Sequence, residues 1–250
     1  MNAREDLLRG SAVGIWNGGL REAGGPGHDE SVQLDYPLES PGVAVLLPSV
    51  TVRLQLAMKR AIDIVAASVG IVLLSPLWLV IAVAVKLSSP GPILYRQRRL
   101  MRGGQVFTMF KFRTMVDGAE SLLDDVFHLN QASGPLFKSK DDPRITPVGR
   151  FLRRHYLDEL PQLLNVVRGE MSLVGPRPCL AREADQSRAL AFRFAVPQGL
   201  TGPWQTNGHH AITFEEQLKV EREYIDRWSI GQDLRILLLT VGIVMQRTGL

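Results

Sequence analysis

Two residue types are scarce. There is a single cysteine, Cys179, in 250 residues, and a single acid, Asp63, between residues 51 and 116. One thiol excludes an intramolecular disulfide framework and a cysteine-based zinc cluster, and suits a reducing compartment. The N-terminus shows no charged stub followed by an apolar run and a small-residue cleavage site, so no secretory signal peptide is expected. The first 50 residues show no sustained hydrophobic period; they mix Gly, Pro, Ser and acids and predict a flexible polar tail.

The scarcity of acid matters because of what replaces it. The formal charge of +4 divides into −4 over residues 1–50, +9 over 51–116, where ten Lys and Arg face Asp63 alone, and −1 over 117–250. Nearly all the excess positive charge therefore surrounds the most apolar stretch of the chain. A general nucleic-acid binder spreads its basic residues over a folded face instead, so no nucleic-acid partner is expected.

That stretch, Ile64–Val85, runs for 22 residues without a charge. A helix needs about 20 such residues to cross a bilayer core. Pro76 lies at its middle and removes one backbone donor, which predicts a bend at Ser75-Pro76, with the Ser75 hydroxyl placed to bond a freed carbonyl. Lys59 and Arg60 precede the run, and Lys86, Arg96, Arg98, Arg99 and Arg102 follow it. Positive flanks favour the cytoplasmic side, so both ends are expected there, and basic flanks also attract anionic lipid headgroups. The geometry that satisfies these conditions is a re-entrant helix-break-helix over 53–92. A kinked full crossing and a buried core helix are the alternatives.

After Ser89-Pro90-Gly91-Pro92, the run Ile93-Leu94-Tyr95, a turn at Gly103-Gly104 and the run Val106–Phe112 predict a β-hairpin. Strand alternation places Lys111 and Arg113 on one face, where two cations suit a diphosphate; an exposed strand face is the plain alternative. Thr146-Pro147 reads as a helix start, and Asp158, with Pro161 in the first turn and Gly169 at the end, as another. Asp158 and Glu159 would then stand at a helix N-terminus, close after Arg153 and Arg154. Either they cap that helix and complement its dipole, or they do chemistry: adjacent carboxylates hold a divalent cation, and a carboxylate can attack phosphorus. Arg177, between Pro176 and Pro178, presents a guanidinium with little freedom left to lose, which suits bidentate contact with phosphate. Cations, a carboxylate pair and a membrane hairpin point together to phosphoryl chemistry at a bilayer surface.

Six ordered strings carry a resemblance: Lys59-Arg60-Ala-Ile-Asp63, Ser88-Ser-Pro-Gly-Pro92, Phe110-Lys-Phe-Arg-Thr-Met115, Leu157-Asp-Glu-Leu-Pro-Gln162, Met171-Ser-Leu-Val-Gly-Pro-Arg-Pro178 and Gly199-Leu-Thr-Gly-Pro-Trp-Gln205. In order and spacing, over roughly residues 53–250, the chain resembles the bacterial sugar transferases, small monotopic phosphoglycosyl transferases. The resemblance implies transfer of a sugar-1-phosphate from a nucleoside diphosphate sugar to undecaprenyl phosphate at the cytoplasmic membrane, with Mg²⁺ required. Asp158 matches the family's nucleophile and Glu159 its dyad partner; both are candidate metal ligands. Arg177 matches a phosphate-gripping arginine, to which Arg153, Lys111 and Arg113 are added as candidate phosphate contacts, and Ser75-Pro76 matches the membrane-helix bend. The chain departs from the family at His155-Tyr156, where small hydroxyl residues are common. It departs again at His209-His210, where a Gly-Arg pair is frequent, and this bears on sugar or nucleotide preference.

Thr213-Phe-Glu-Glu216 is a capping-box pattern opening an amphipathic helix to Trp228, and Ile236–Met245 reads as an interfacial or a core helix. His28 and His128 lack partner patterns and are expected at the polar surface. Asp117-Gly-Ala-Glu120 weakly suggests CDP-alcohol phosphotransfer, but the further spaced aspartates of that chemistry are missing. A catalytically silent membrane scaffold is the non-enzymatic alternative, against which the intact dyad argues. The expected fold is α+β and mostly helical, in three parts: a tail (1–52), a basic-flanked re-entrant membrane helix (53–92), and a small cytoplasmic domain (93–250). That domain would hold the short hairpin and amphipathic interfacial helices, with membrane lipid as a partner and homo-oligomerisation open.

Overall fold

The structure, a computed structural model, describes residues 50–131, 139, 141–186, 188–206 and 213–246. The tail before Val50, with His28, and the pair His209-His210 lie outside the described residues. The first helix, α1 (Val50–Ser88), is 39 residues long and continuous through Pro76, so the expected division into two helices is not a break in secondary structure. The local chemistry explains why helix continues. Pro76 leaves the carbonyl four residues earlier, that of Val72, without its usual amide, and the Ser75 hydroxyl donates to that oxygen at 2.8 Å.

Helix α1 is inverted relative to a helix of a soluble protein. Lys59, Asp63, Ala67, Ile81 and Val85 form the face buried against the rest of the chain, while Val65, Val69, Val72, Leu73, Val80, Val83 and Leu87 are exposed. It is the one helix among the described residues long and apolar enough to cross a membrane, and only 11% of its most apolar window is buried, which separates it from a core helix.

The basic flank is also less free than its sequence implies. Lys59 is buried against Asp233, and Arg60 donates to the carbonyls of Val166 and Val167 at 2.6 and 2.9 Å. These carbonyls end a helix, the negative pole of its dipole, which accounts for the arginine's choice of partner.

The hairpin forms as expected, with a longer first strand. β1 (Leu94–Leu100) pairs antiparallel with β2 (Val106–Phe112), from Leu94 opposite Phe112 to Leu100 opposite Val106. The turn between them uses positive φ at Gly103 and Gly104. Beyond the short α2 (Leu123–Val126), whose neighbour His128 is exposed, α3 (Pro147–Arg154) starts where Thr146 accepts a hydrogen bond from the Gly149 amide at 2.9 Å. Next comes α4 (Gln162–Arg168), closed by Gly169 in the left-handed conformation.

A second sheet was not foreseen: β3 (Ser172–Val174) pairs parallel with β4 (Gly199–Thr201). Short helices α5 (Ala181–Gln186) and α6 (Pro203–Thr206) follow β3 and β4, respectively, along the chain. Then α7 (Phe214–Asp226) opens on the expected capping box and ends two residues short of Trp228. The last helix, α8 (Ile230–Gln246), combines both readings made of it, burying Asp233 and Ile236 while exposing Leu234, Leu238, Val241 and Met245.

The core consists of three clusters. One joins Ala67 of α1 to Phe107, Leu163, Val166, Met171, Val174, Tyr224 and Ile236. Another joins Ile81 and Val85 to Phe112 and Leu152, with Trp78 edge-on to Phe112. A third, around Leu100, Cys179, Leu190 and Phe194, lies behind the Arg177 turn.

Candidate active site

Asp158 and Glu159 lie on a single 3₁₀ turn, Leu157–Glu159, between α3 and α4. This refines the expected placement: α4 begins at Gln162 with Pro161 in its cap position, so Asp158 does not cap it. The turn is entered through Tyr156, the one non-glycine described residue with positive φ (57°), in a conformation that costs an L-residue about 1–2 kcal/mol. This is the His155-Tyr156 pair singled out in the sequence. The His155 ring donates from Nδ1 to the Phe151 carbonyl one turn earlier in its own helix, at 2.8 Å.

The inner face of the hairpin approaches this turn. Lys111 Nζ stands 2.9 Å from Glu159 Oε1, and Arg177 Nη2 reaches the same oxygen at 3.0 Å. Lys111 is placed by Asn165, a fully buried residue of α4 that accepts from the Phe110 amide and donates to the Thr108 carbonyl. Sequence reading missed Asn165; the available signal was one amide inside the apolar run Leu163–Val167. Arg153, at the end of α3, donates from Nε to Thr114 Oγ1 at 2.9 Å and is close enough to favour the ionised form of Asp158. Its neighbour Arg154 is exposed.

Arg113 stands apart from this cluster. Its Nη2 donates to the carbonyl and hydroxyl of Ser89 at 2.7 and 3.0 Å, so it holds the turn that ends α1. Strand alternation ceases to bind at Phe112, where β2 ends, and the expected pairing of Lys111 with Arg113 ends with it.

Arg177 is positioned by close backbone packing. The Gly175 amide donates to Thr201 O, and the Gly199 amide to Pro176 O. A methyl group on Gly199 would lie 2.1 Å from the Gly175 nitrogen, and one on Gly202 would lie 2.3 Å from the Gly175 oxygen. The two motifs at 171–178 and 199–205 are therefore one object, a parallel strand pair crossing through glycines.

Charge in the site is uneven. Burial works against the ionisation of Glu159, but Lys111 and Arg177 overcome it and hold the carboxyl down to about 2. Asp158, only 8% exposed, is pushed the other way: burial raises its pKa, Lys111 offsets part of that, and ionised Glu159 adds to it. No hydrogen bond or ion pair reaches the Asp158 carboxylate from another described side chain within 4 Å. Burial lowers the Lys111 pKa against the pull of Glu159, whereas Glu159 raises that of Arg177. The arrangement is a compact group of cations gathered on Glu159, next to a carboxylate that no other described side chain bonds. Among the described residues no three metal-ligating side chains gather, so the dyad offers two carboxylates and no closed cage.

The chain is also similar to known proteins. The pattern of the family described as bacterial sugar transferase matches residues 54–247. The exopolysaccharide production protein ExoY of Rhizobium meliloti (strain 1021) is 39% identical over 196 residues, covering 76% of this chain and 87% of that protein. A UDP-glucose:undecaprenyl-phosphate glucose-1-phosphate transferase of Caulobacter vibrioides is 43% identical over 204 residues, covering 78% of this chain and 71% of that protein. The Escherichia coli (strain K12) protein of the same name is 42% identical over 193 residues, 74% of this chain but 39% of its own length. The match begins within α1, spans the dyad, the Arg177 turn and the glycine crossing, and ends at α8: the chain belongs to the bacterial sugar transferase family.

Proposed function

We propose that this chain transfers a sugar-1-phosphate from a nucleoside diphosphate sugar to undecaprenyl phosphate, as the first membrane step of exopolysaccharide or related glycan assembly. The names of its relatives favour a UDP-sugar donor. The observation that carries the reading is Asp158, a buried carboxylate left without a described hydrogen-bond donor and set among Lys111, Arg153 and Arg177.

In the first displacement an Asp158 oxygen attacks the phosphorus that bears the sugar. A carboxylate–phosphorus bond forms, and the bond to the nucleoside monophosphate breaks, the leaving phosphate taking the electron pair. In the second, an oxygen of the lipid phosphate attacks the same phosphorus, and Asp158 leaves as carboxylate. Arg177 and Lys111, already on Glu159, are placed to hold the equatorial phosphate oxygens, while Arg153 favours the ionised nucleophile. A raised pKa makes the ionised Asp158 carboxylate the stronger nucleophile.

The dyad fits Mg²⁺, which takes one or two carboxylates and completes its shell with substrate phosphates and water. Asp158 and the Glu159 oxygen that faces neither cation would hold it, and its contribution would be to neutralise the diphosphate.

The inverted α1 and the exposed apolar face of α8 support a membrane location. Basic residues on both sides of the apolar run support a re-entrant course bending near Ser75-Pro76, with the catalytic domain in the cytoplasm. Cysteines introduced before Val50 and after Lys86 should both react with an impermeant reagent from the cytoplasmic side only; labelling from opposite sides would establish a full crossing. For the chemistry, labelled nucleoside monophosphate should exchange into donor without any lipid acceptor. Absence of exchange, with rates that need both substrates bound together, would rule out the covalent route.

A further inference from the structure

Four residues upstream of the hairpin turn stands an arginine that the phosphate chemistry does not use. Arg99 and Gln97 share a face of β1, as residues two apart on a strand must, whereas Arg96 and Arg98 on the opposite face are exposed. Tyr95, on that same face, is directly opposite Lys111, so Arg99 and Lys111 project from one side of the hairpin. That side meets the Arg177 turn twice. Lys111 shares Glu159 Oε1 with the Arg177 guanidinium, and Arg99 Nη1 donates at 2.8 Å to the carbonyl of Pro178, the residue after Arg177.

The guanidinium of Arg99 is itself fixed. Its Nε and Nη2 both donate to Gln97 Oε1, at 2.9 and 2.8 Å, and Glu183 Oε2 lies 3.6 Å from Nη1. Glu183 also accepts from the Leu180 amide at 2.8 Å, and the Leu100 amide donates to Cys179 O at 3.0 Å. Before Arg177, the Pro176 carbonyl is held by the Gly199 amide. After Arg177, the adjoining carbonyl is held by a side chain, and that side chain is Arg99. The planar guanidinium suits this arrangement, since Nε and Nη2 fork onto the single Gln97 oxygen while Nη1 reaches the Pro178 carbonyl. It also places a third cation near Lys111 and Arg177, a repulsion that a merely space-filling residue would avoid.

We propose that Arg99 is a positioning residue for the transfer reaction. It acts through Arg177 by fixing the Pro178 carbonyl, and so sets where the Arg177 guanidinium stands relative to Glu159 and the donor phosphates. It does not itself contact substrate. The proposal rests on the function assigned above, and two measurements on the full chain in detergent or nanodiscs keep the two apart.

Amide hydrogen exchange in Arg99→Gln should be about tenfold faster at Arg177 and Cys179 and unchanged in α3, with Arg99→Lys, which keeps the charge, in between. Unchanged exchange at these amides, or a rise throughout the chain in both variants, overturns the proposal. In turnover assays Arg99→Gln should lower kcat/KM for the donor about 100-fold in the wild-type background but less than about threefold when added to Arg177→Ala. Losses that multiply would show Arg99 acting independently and overturn it too. Should the wild-type chain turn over no nucleoside diphosphate sugar, the assigned function fails, and the exchange measurement still decides whether Arg99 places Arg177.

Discussion

Two clusters of buried charge flank the segment from Val174 to Arg177, and they are built on opposite terms. In the first, Lys59 donates to Val174 O at 3.1 Å and to Asp233 Oδ2 at 2.6 Å. Asp233 also accepts from Tyr224 and Trp228, and Asp63 from the Leu173 amide. Each charge there has a partner, and the cluster ties α1 to α7, α8 and β3. In the second cluster Glu159 is over-supplied with cations while Asp158 receives no described hydrogen bond. A buried charge whose needs are all met holds a fold together. One left open, with its pKa displaced by burial, is available to a ligand or a reaction.

The most direct way to break this contrast is Asp158→Asn. Release of nucleoside monophosphate should fall at least about 10⁴-fold, yet the melting temperature should rise, because an unmet buried charge is removed. A variant both inactive and less stable would contradict the open-cluster reading. Lys59→Met acts on the closed cluster and should cost about 3–5 kcal/mol, since it leaves Asp63 and Asp233 buried without their cation. Denaturant unfolding measures this loss, and a cost below about 1 kcal/mol would count against the network as a stabilising tie.

The third test uses pH. The folded pKa of Asp158 is raised, so its contribution to stability is present at low pH and is lost as pH rises through that value. The advantage of Asp158→Asn should therefore be near zero at about pH 4 and grow toward about pH 8. Glu159 has the opposite sign: its contribution is present above its ordinary value and is lost as pH falls through about 2. Glu159→Gln should consequently be destabilising at neutral pH, with the difference closing in acid; parallel stability curves would refute both assignments. The smallest expected effect is that of Tyr156→Asn, which places a residue tolerant of positive φ at the entrance to the dyad turn and should stabilise by less than about 1 kcal/mol, read by thermal unfolding.

Much of this was legible in the sequence because the signals are local. A charge-free run, a glycine turn between apolar strands, Thr146 before Pro147, the Thr213–Glu216 box and Gly169 each specify a conformation within a few residues. The dyad and the Pro-Arg-Pro turn could be read because the residue types already limit the chemistry. What escaped depends on distant partners. Lys59 and Arg60 look like a headgroup-binding flank until Asp233 and the end of α4 are placed beside them. Arg113 looks like a partner to Lys111 until β2 stops one residue earlier. β3 and β4 have three residues each, too few to show a period, and their pairing joins segments far apart in the chain. The bond from the Ser75 hydroxyl to a freed carbonyl was legible beside Pro76, whereas the continuity of the helix through the proline was not.

The crossing of Gly175 with Gly199 and Gly202 has a consequence for the temperature dependence of substrate binding. At these contacts backbone meets backbone, with no side-chain torsion between them that could loosen on warming. Arg177 is thus carried on main chain already immobilised when the protein folds, and the motion left to restrict when a phosphate arrives is largely in its own side-chain torsions. The entropy lost by the protein on capture is correspondingly small. The grip on phosphate should then weaken little with heating until the strand pair itself gives way, at which point it should be lost together with the fold.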